Sequence, residues 1–450
     1  MNLKIKYSLV LSAILMLTCT GLQAQTGSSY TLQQLIDSAI SRSHPMAIKS
    51  WQVKEKVSKL NEDQIRRYPS VMVGANYQYN FSIGELNIPA GSIGVAPTST
   101  GDQLFPQENT NFKMGQHDNF STDVALYQPL LQQAKIKTGL AIDKIDVTVS
   151  ETEQVKIAQQ LTLAVQELYY GILISEKQWE AASTRLELAK AKVKDAESGA
   201  AAGKVIAPNL AGLRAAVAEE EQNMLKQEII VQDYKRELIV VANLSENSLT
   251  KLQEPDSATI GMHVIASVDT YTNRISVNTD LQLARLNRDK ALLSIKAANQ
   301  SNLPDLGLIA GYYYQRGNPI LPTSMPYIGI NLKWNLQDLF VNHHVLHQRE
   351  AQLKQAEHTV AYQQQKVYTD VEKAYRKINQ TIALVTVARK ALKYRLEELK
   401  VQKDKQAAGL SMNSDLLAVK ADVAKSEADL YAAQLAYFIA VAELENLIGR

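Results

Sequence analysis

Between Leu161 and Ala196, apolar or small residues recur at alternating steps of four and three: Leu161, Val165, Leu168, Ile172, Ser175, Trp179, Ala182, Leu186, Ala189, Val193 and Ala196. A seam of this kind makes one face of a helix that other helices must cover. A helix from about residue 134 to 200 is roughly 100 Å long at 1.5 Å per residue, several times the usual globular length. A rod of that length cannot bury itself. Only 6% of the 450 residues are aromatic, while Ala, Leu, Gln and Lys abound, a bias that favours long helices. The alanines on the seam let neighbouring helices approach closely, which suits a curved wall of helices better than one thick core.

The chain contains this arrangement twice. At a constant offset of 206 residues, Tyr169 falls on Tyr375, Leu186 on Leu392, Gly203 on Gly409 and Leu210 on Leu416, the mark of a duplicated unit. The second seam reads Val367, Val371, Ala374, Ile378, Thr381, Val385, Ala388, Leu392, Arg395, Leu399 and Gln402, weakening towards its end. Return helices follow, carrying Leu213, Val217, Met224, Val231, Leu238 and Val241 in the first half and Val419, Val423, Leu430, Tyr437, Leu444 and Leu447 in the second. Each half therefore holds an antiparallel helical hairpin.

The hairpin turns have the chemistry of helix ends. Gly203 and Gly409 suit the left-handed conformation that closes a helix. Lys204 to Pro208 and Asn209, and Leu410 and Ser411 to Asn413, Ser414 and Asp415, lead into the next helix. Any helical hairpin needs turns like these, so they do not by themselves indicate a function.

After Pro69 the period changes to two. Val71, Val73, Ala75, Tyr77, Tyr79, Phe81 and Ile83 alternate with polar or small residues, and Phe120, Thr122, Val124 and Leu126 do the same before Pro129. The second half repeats this with Leu306, Leu308, Ala310, Tyr312 and Tyr314, then Ile328, Ile330, Leu332 and Trp334. Pro69 and Pro304 mark the change from helix to strand, since a residue before proline is pushed out of helical geometry. Here the offset between halves is 235, so the first half carries 29 extra residues, near Glu85 to Gln116, expected to form a loop. Each strand is about the 9 to 11 residues that a tilted strand needs to cross a bilayer. A half-buried soluble sheet would fit the same alternation. Against it stand aromatics gathered at segment ends and flanking helices too long for a compact domain. Four strands cannot close a membrane barrel, which needs at least eight with no open edge. The chain must oligomerise, and three copies give twelve strands.

The first 24 residues carry Lys4 and Lys6, an apolar stretch from Leu9 to Leu17, and Gly21-Leu22-Gln23-Ala24, the pattern of a secretory signal peptide. The expected mature chain has 46 basic and 46 acidic residues, which makes nucleic acid an unfavourable partner. Its only cysteine, Cys19, lies in the leader, leaving no disulfide and no sulfur ligand. A lipid-modified Cys19 is the alternative, against which Thr18 is a poor match for the small residue such processing wants. No later run of 18 apolar residues occurs, so any membrane span must be built of strands. His343, His344 and His347 stand close together, two of them at the i, i+4 spacing of a helical metal pair, but no third ligand completes a familiar site. There is no phosphate-binding glycine loop, no His-Glu-x-x-His and no convergent nucleophile and base. No enzyme, cofactor or metal is expected, and any energy source must be another protein.

Over essentially the whole mature chain this pattern resembles the TolC-like outer membrane efflux protein family. The residues that carry the resemblance are Tyr30 to Ile40 through His44-Pro45, which look like the family's first helix with Thr31 and Gln34 as a capping box, and Asn413 to Ala418, where Asp415-Leu416-Leu417 stands for the Asp-Val-Leu-type turn motif. The first turn departs from that motif with Pro208-Asn209-Leu210. The resemblance implies a mixed α and β membrane protein: a homotrimer with a twelve-stranded outer-membrane β-barrel, four strands from each chain, and a periplasmic α-barrel of helical hairpins. Its work would be passive passage of small molecules or secreted proteins from a periplasmic adaptor and inner-membrane pump to the exterior. Gly203, Lys204, Pro208, Asn209, Gly409, Leu410, Ser411, Asn413 and Asp415 would be the adaptor-docking turns. Lys403, Asp404 and Lys405 would stand near a periplasmic gate, although a charge run at a helix end also fits a solvated face. Tyr77, Tyr79, Phe81, Phe120, Tyr312, Tyr314 and Trp334 would face lipid. The implied organisation is a signal peptide (1–24), a first repeat (25–244; β-hairpin about 69–129, helical hairpin about 130–244), an equatorial linker (245–275) and a second repeat (276–450; β-hairpin about 304–335, helical hairpin about 336–450). A periplasmic coiled-coil scaffold with no membrane-spanning part is the alternative, and it would bury the apolar strand faces in a soluble sheet.

Overall fold

The computed structural model describes residues 30–99, 101–201, 208–245, 251–255, 267–318 and 321–449. The expected signal peptide with Cys19, Gly203, Lys204, and residues 246–250 and 256–266 of the expected linker lie outside them. The chain resolves into two compact units, each drawing on both sequence repeats: residues 1–51, 152–282 and 362–450 form the first, and 52–151 and 283–361 the second.

The first unit is helical. It contains α1 (Leu32–Arg42), the start of α2 (His44–Ile65), the greater part of α3 (Gln133–Ala201) and all of α4 (Pro208–Val241). It also holds the short α5 (Val268–Thr272), the start of α6 (Thr279–Ser301), most of α7 (Gln337–Ala407) and α8 (Asn413–Leu447). Helices α3 and α7 end at Ala201 and Ala407, and α4 and α8 at Val241 and Leu447, each pair 206 residues apart. The repeat offset read in the sequence is thus the offset of the helix ends. Along the first seam Val165, Leu168, Ile172, Ser175, Ala182, Leu186 and Ala189 are buried, while Trp179 remains 38% exposed. Along the second, Val367, Val371, Ala374, Ile378, Thr381 and Val385 are buried, and the positions after Val385 are only half covered.

Two apolar clusters hold this unit. One joins Leu35, Ile36 and Ala39 of α1 to Val165 and Ile172 of α3, Leu238 of α4 and Leu435 of α8; the other joins Val371 and Ile378 of α7 to Tyr437 and Leu444 of α8. Each fully buried aliphatic side chain contributes about 1.5–3 kcal/mol. Thr31 closes α1 as the sequence suggests: its hydroxyl accepts from Gln34 N–H at 3.2 Å, and its own N–H donates to Gln34 Oε1 at 3.0 Å. The described part of the inter-repeat segment docks by a parallel bridge between Tyr30 and Leu252, while the Tyr169 hydroxyl donates to the Gln253 carbonyl. Buried Asn278 donates to the Leu447 carbonyl at 3.0 Å and accepts from the N–H groups of Asp280 and Leu281, which caps α6.

The second unit is built on a four-stranded antiparallel sheet of β1 (Ser70–Tyr79), β6 (Asp118–Pro129), β7 (Asp305–Arg316) and β8 (Ser324–Lys333), in that spatial order. Helix α2 ends at Ile65 and α6 at Ser301, so Pro69 and Pro304 do stand at the changes from helix to strand. The extra residues of the first half, expected as a loop between the two strands, contain two short ribbons. β2 (Glu85–Ile88) pairs with β5 (Thr110–Lys113), and β3 (Gly94–Thr98) with β4 (Gly101–Phe105). Segments of four or five residues are too short for their alternation to be read as strands.

Lys135 pairs with Asp305 at 2.7 Å and Lys290 with Asp146 at 2.5 Å. Asp143, also on α3, has its pKa raised, chiefly because burial penalises its charge and then because the Asp63 carboxylate stands nearby.

Candidate functional site

Register fixes what each face of the sheet presents. Val71 lies opposite Leu126, Leu126 opposite Ala310 and Ala310 opposite Ile328; the next row on the same face is Val73, Val124, Tyr312 and Pro326. Leu308 with Ile330, and Leu306 with Leu332, extend this face towards the helices. The alternation read in each strand therefore adds up to one continuous apolar face. It is bare: Val71, Val73, Tyr77, Ile328, Ile330 and Leu332 are between 63% and 77% exposed. A water-soluble monomer rarely leaves so large an apolar patch uncovered.

The opposite face carries Asn76, Gln78, Asn119, Ser121, Asp123, Tyr313, Gln315 and Asn331. Gly311 belongs to this face, and a Cβ there would stand 2.6 Å from the ring of Tyr327, so the missing side chain makes room for that ring. Among the described residues, strands β6 and β7 are paired on both sides, whereas β1 and β8 are each paired on one side only.

The seven expected lipid-facing aromatics divide between the two ends of the sheet. Tyr77 is opposite Phe120, whose ring lies 6.5 Å from that of Tyr314, and Tyr79 is 5.2 Å from Phe81, all towards the loop end. Tyr312 lies two residues deeper on the same strand and face as Tyr314. Trp334 stands just past β8 at the helix end, where its indole N–H donates to the Asn302 carbonyl at 3.2 Å. Six of the seven are exposed; Tyr314 is half covered. Phe81 lies in a bend after β1 rather than in the strand.

At the second hairpin turn Gly409 has φ +74°, and the Leu410 N–H reaches back to the Lys405 carbonyl at 2.9 Å, the closure expected of a left-handed cap. The next helix begins at Asn413, where the sequence reading put its start. Met412 is its N-cap, and the Met412 N–H donates to Asp415 Oδ2 at 3.0 Å; Ser411 Oγ donates to the same oxygen at 3.2 Å. Gln402 ties the turn to α7 by donating to Ser411 Oγ at 2.5 Å. The tip thus offers Leu410 and Met412, 79% and 67% exposed, over a hydrogen-bonded base. Met412 and Gln402 are not signalled by the turn motif, because their roles depend on backbone geometry. Lys403, Asp404 and Lys405 are exposed on the last turns of α7. At the first turn, Pro208 is the first residue of α4 and Asn209 the second.

His343 and His347 bring their Nε2 atoms to 3.1 Å on an exposed face of α7. Among the described residues no group of three potential metal ligands comes together, and no helix is long and apolar enough to cross a membrane.

Residues 271–450 match the family model described as outer membrane efflux protein. No curated protein sequence matches the chain. Solved structures share its fold over 93% of its length. The outer membrane protein VceC of Vibrio cholerae superposes with a TM-score of 0.70 at 15% identity, matching 96% of that chain. The CmeC outer membrane channel of Campylobacter jejuni gives 0.72 at 13% identity, over 85% of its chain. The open state of the MtrE outer membrane channel of Neisseria gonorrhoeae gives 0.65 at 14% identity, over 88%. The chain therefore has the fold of these outer-membrane channels, and its C-terminal part carries the efflux-family sequence pattern.

Proposed function

We propose, from that fold and that match, that this chain is the exit duct of a tripartite efflux or export system, a passive channel and not an enzyme. The observation that carries the proposal is the bare apolar face on a four-stranded sheet with two unpaired edges. In lipid an open edge leaves backbone groups without partners. A homotrimer removes the edges by pairing β1 of one copy with β8 of the next, giving a twelve-stranded barrel that lipid surrounds. Dimensions support the reading. The strand path from Asp305, beside Trp334, to Tyr314 is nine steps, about 30 Å at ~3.3 Å per residue. At a tilt of ~40° that is roughly 23 Å of height, close to the ~25 Å apolar band between the aromatic girdles of such barrels.

The helical hairpins then form the periplasmic tunnel, with the equatorial segment about its middle. The turns at Gly203, Lys204, Pro208 and Asn209, and at Gly409, Leu410, Ser411, Asn413 and Asp415, dock a periplasmic adaptor. Leu410 and Met412 supply the apolar contact. Lys403, Asp404 and Lys405 ring the gate, which an adaptor and an inner-membrane pump open. The β2–β5 and β3–β4 ribbons form an extracellular flap at the barrel mouth.

The test is conductance of the purified protein in planar bilayers. Discrete ion-conducting steps are expected from the protein itself or, where the gate holds it closed, from Lys403→Ala/Asp404→Ala/Lys405→Ala, and bilayers that stay silent with inserted trimers of both would refute the channel reading.

A further inference from the structure

Where α2, α3 and α6 meet their strands, the second unit holds a half-open cavity of about 650 Å³, well above the space a small inorganic anion fills. Four cations line it: Arg67 from the turn just after α2, Lys137 and Lys144 about two turns apart on α3, and Lys296 from α6. Their environment differs from that of their neighbours. On or just past the same three helices, Lys59, Arg66, Lys135 and Lys290 each meet a carboxylate within 3.4 Å. Among the described residues, the four cavity cations have no carboxylate partner. Four like charges around one space repel one another until an anion enters.

The rest of the lining is not that of a site for a small solute. Leu140, Leu293, Ala134 and Ala141 give the cavity an apolar wall, and Tyr68 also lines it. The cavity also lies at a particular level. Tyr68 is two residues before β1, and Gln300 is five before β7, so it adjoins the helix end of the apolar sheet face. Around that level Ile65, Leu130 and Leu131 are 69%, 45% and 46% exposed. An aromatic and aliphatic collar with basic groups behind it is the chemistry of a membrane interface.

We propose that this cavity binds the phosphate headgroup of an anionic glycerophospholipid from the periplasmic leaflet, with the acyl chains lying along the neighbouring apolar surface. The proposal rests on the sheet being membrane-embedded. The phosphate would be held by Arg67 as a two-pronged donor and by the lysines as point charges. None of the three helices contributes all four cations, so the headgroup would also tie the helix ends together beneath the barrel.

The test uses the full-length protein and vesicles of phosphatidylcholine alone or with phosphatidylglycerol. Flotation with phosphatidylcholine vesicles first reports whether the sheet inserts. Lipid retained through detergent extraction is then counted by native mass spectrometry for the wild type and for Arg67→Gln/Lys137→Gln/Lys296→Gln. A charge-matched variant, Lys226→Gln/Lys366→Gln/Lys393→Gln, controls for net charge. The expected result is selective retention of phosphatidylglycerol by the wild type, reduced roughly tenfold or more in the cavity variant and unchanged in the control. Equal retention in all three overturns the lipid site while leaving the membrane reading intact. Failure to float overturns both. Displacement of the retained lipid signal by millimolar inorganic phosphate, with no preference between the two lipids, assigns the cavity to free phosphate and overturns the lipid assignment.

Discussion

Ile328 offers a direct test of what the bare face of the sheet touches. It is 77% exposed, in the row of Val71, Leu126 and Ala310, between the aromatic-rich loop end and Trp334. Ile328→Lys removes little protein contact, so in water it would change stability by no more than about 0.5 kcal/mol. Facing lipid near the middle of a bilayer, the same substitution costs about 2–4 kcal/mol per chain. That is roughly a 30- to 800-fold change in the folding equilibrium, since a tenfold change corresponds to about 1.4 kcal/mol. Reversible urea unfolding in lipid vesicles measures the difference. Asn331→Lys, on the polar face of the same strand, supplies the comparison and should be nearly neutral. If Ile328→Lys were as mild as Asn331→Lys, the apolar face would not lie against lipid and the barrel argument would fail.

Other perturbations probe separate parts of the account. Asp143 has a raised pKa from burial and from Asp63, so the folded state holds its proton to higher pH than the unfolded chain. Stability should therefore fall as pH rises through the interval between the unfolded and folded pKa values. Asp143→Asn should flatten that fall and stabilise the protein at neutral pH, as followed by thermal unfolding across pH. Gly409→Val places a β-branched residue at φ +74° and should cost about 1–3 kcal/mol locally, seen as faster hydrogen exchange at the turn with the sheet unaffected. Asp404→Ala should alter single-channel conductance or block by divalent cations, and unchanged channels would remove Asp404 from the gate.

The long helices were legible because their seams extend through many turns. A seam position such as Ile172 or Val371 is fully buried, and the duplicated spacing carried through to helix ends at the same offset. The strand faces were legible for a related reason: in each of the four strands one parity is apolar, and the observed register joins those parities into one face. Where a pattern is short or depends on backbone shape, the sequence says less. The β2–β5 and β3–β4 ribbons have four or five residues per strand, and Met412 becomes an N-cap because Asp415 reaches back to its N–H. Trp179 holds a seam position yet is 38% exposed, since a heptad position specifies direction and not whether a partner is there to cover it. The basic cavity was invisible for another reason. Arg67, Lys137, Lys144 and Lys296 come from three separated segments, and each by itself reads as an ordinary surface cation.

The central claim is that one chain supplies a third of a membrane barrel. It is tested most directly by the native mass of the protein extracted from outer membranes in mild detergent, corrected for bound detergent. The account expects a particle of three chains that precipitates or aggregates when detergent is withdrawn. A monomer or dimer that remains dispersed in plain buffer would contradict it, and would point instead to a periplasmic scaffold whose apolar sheet face is covered by another protein.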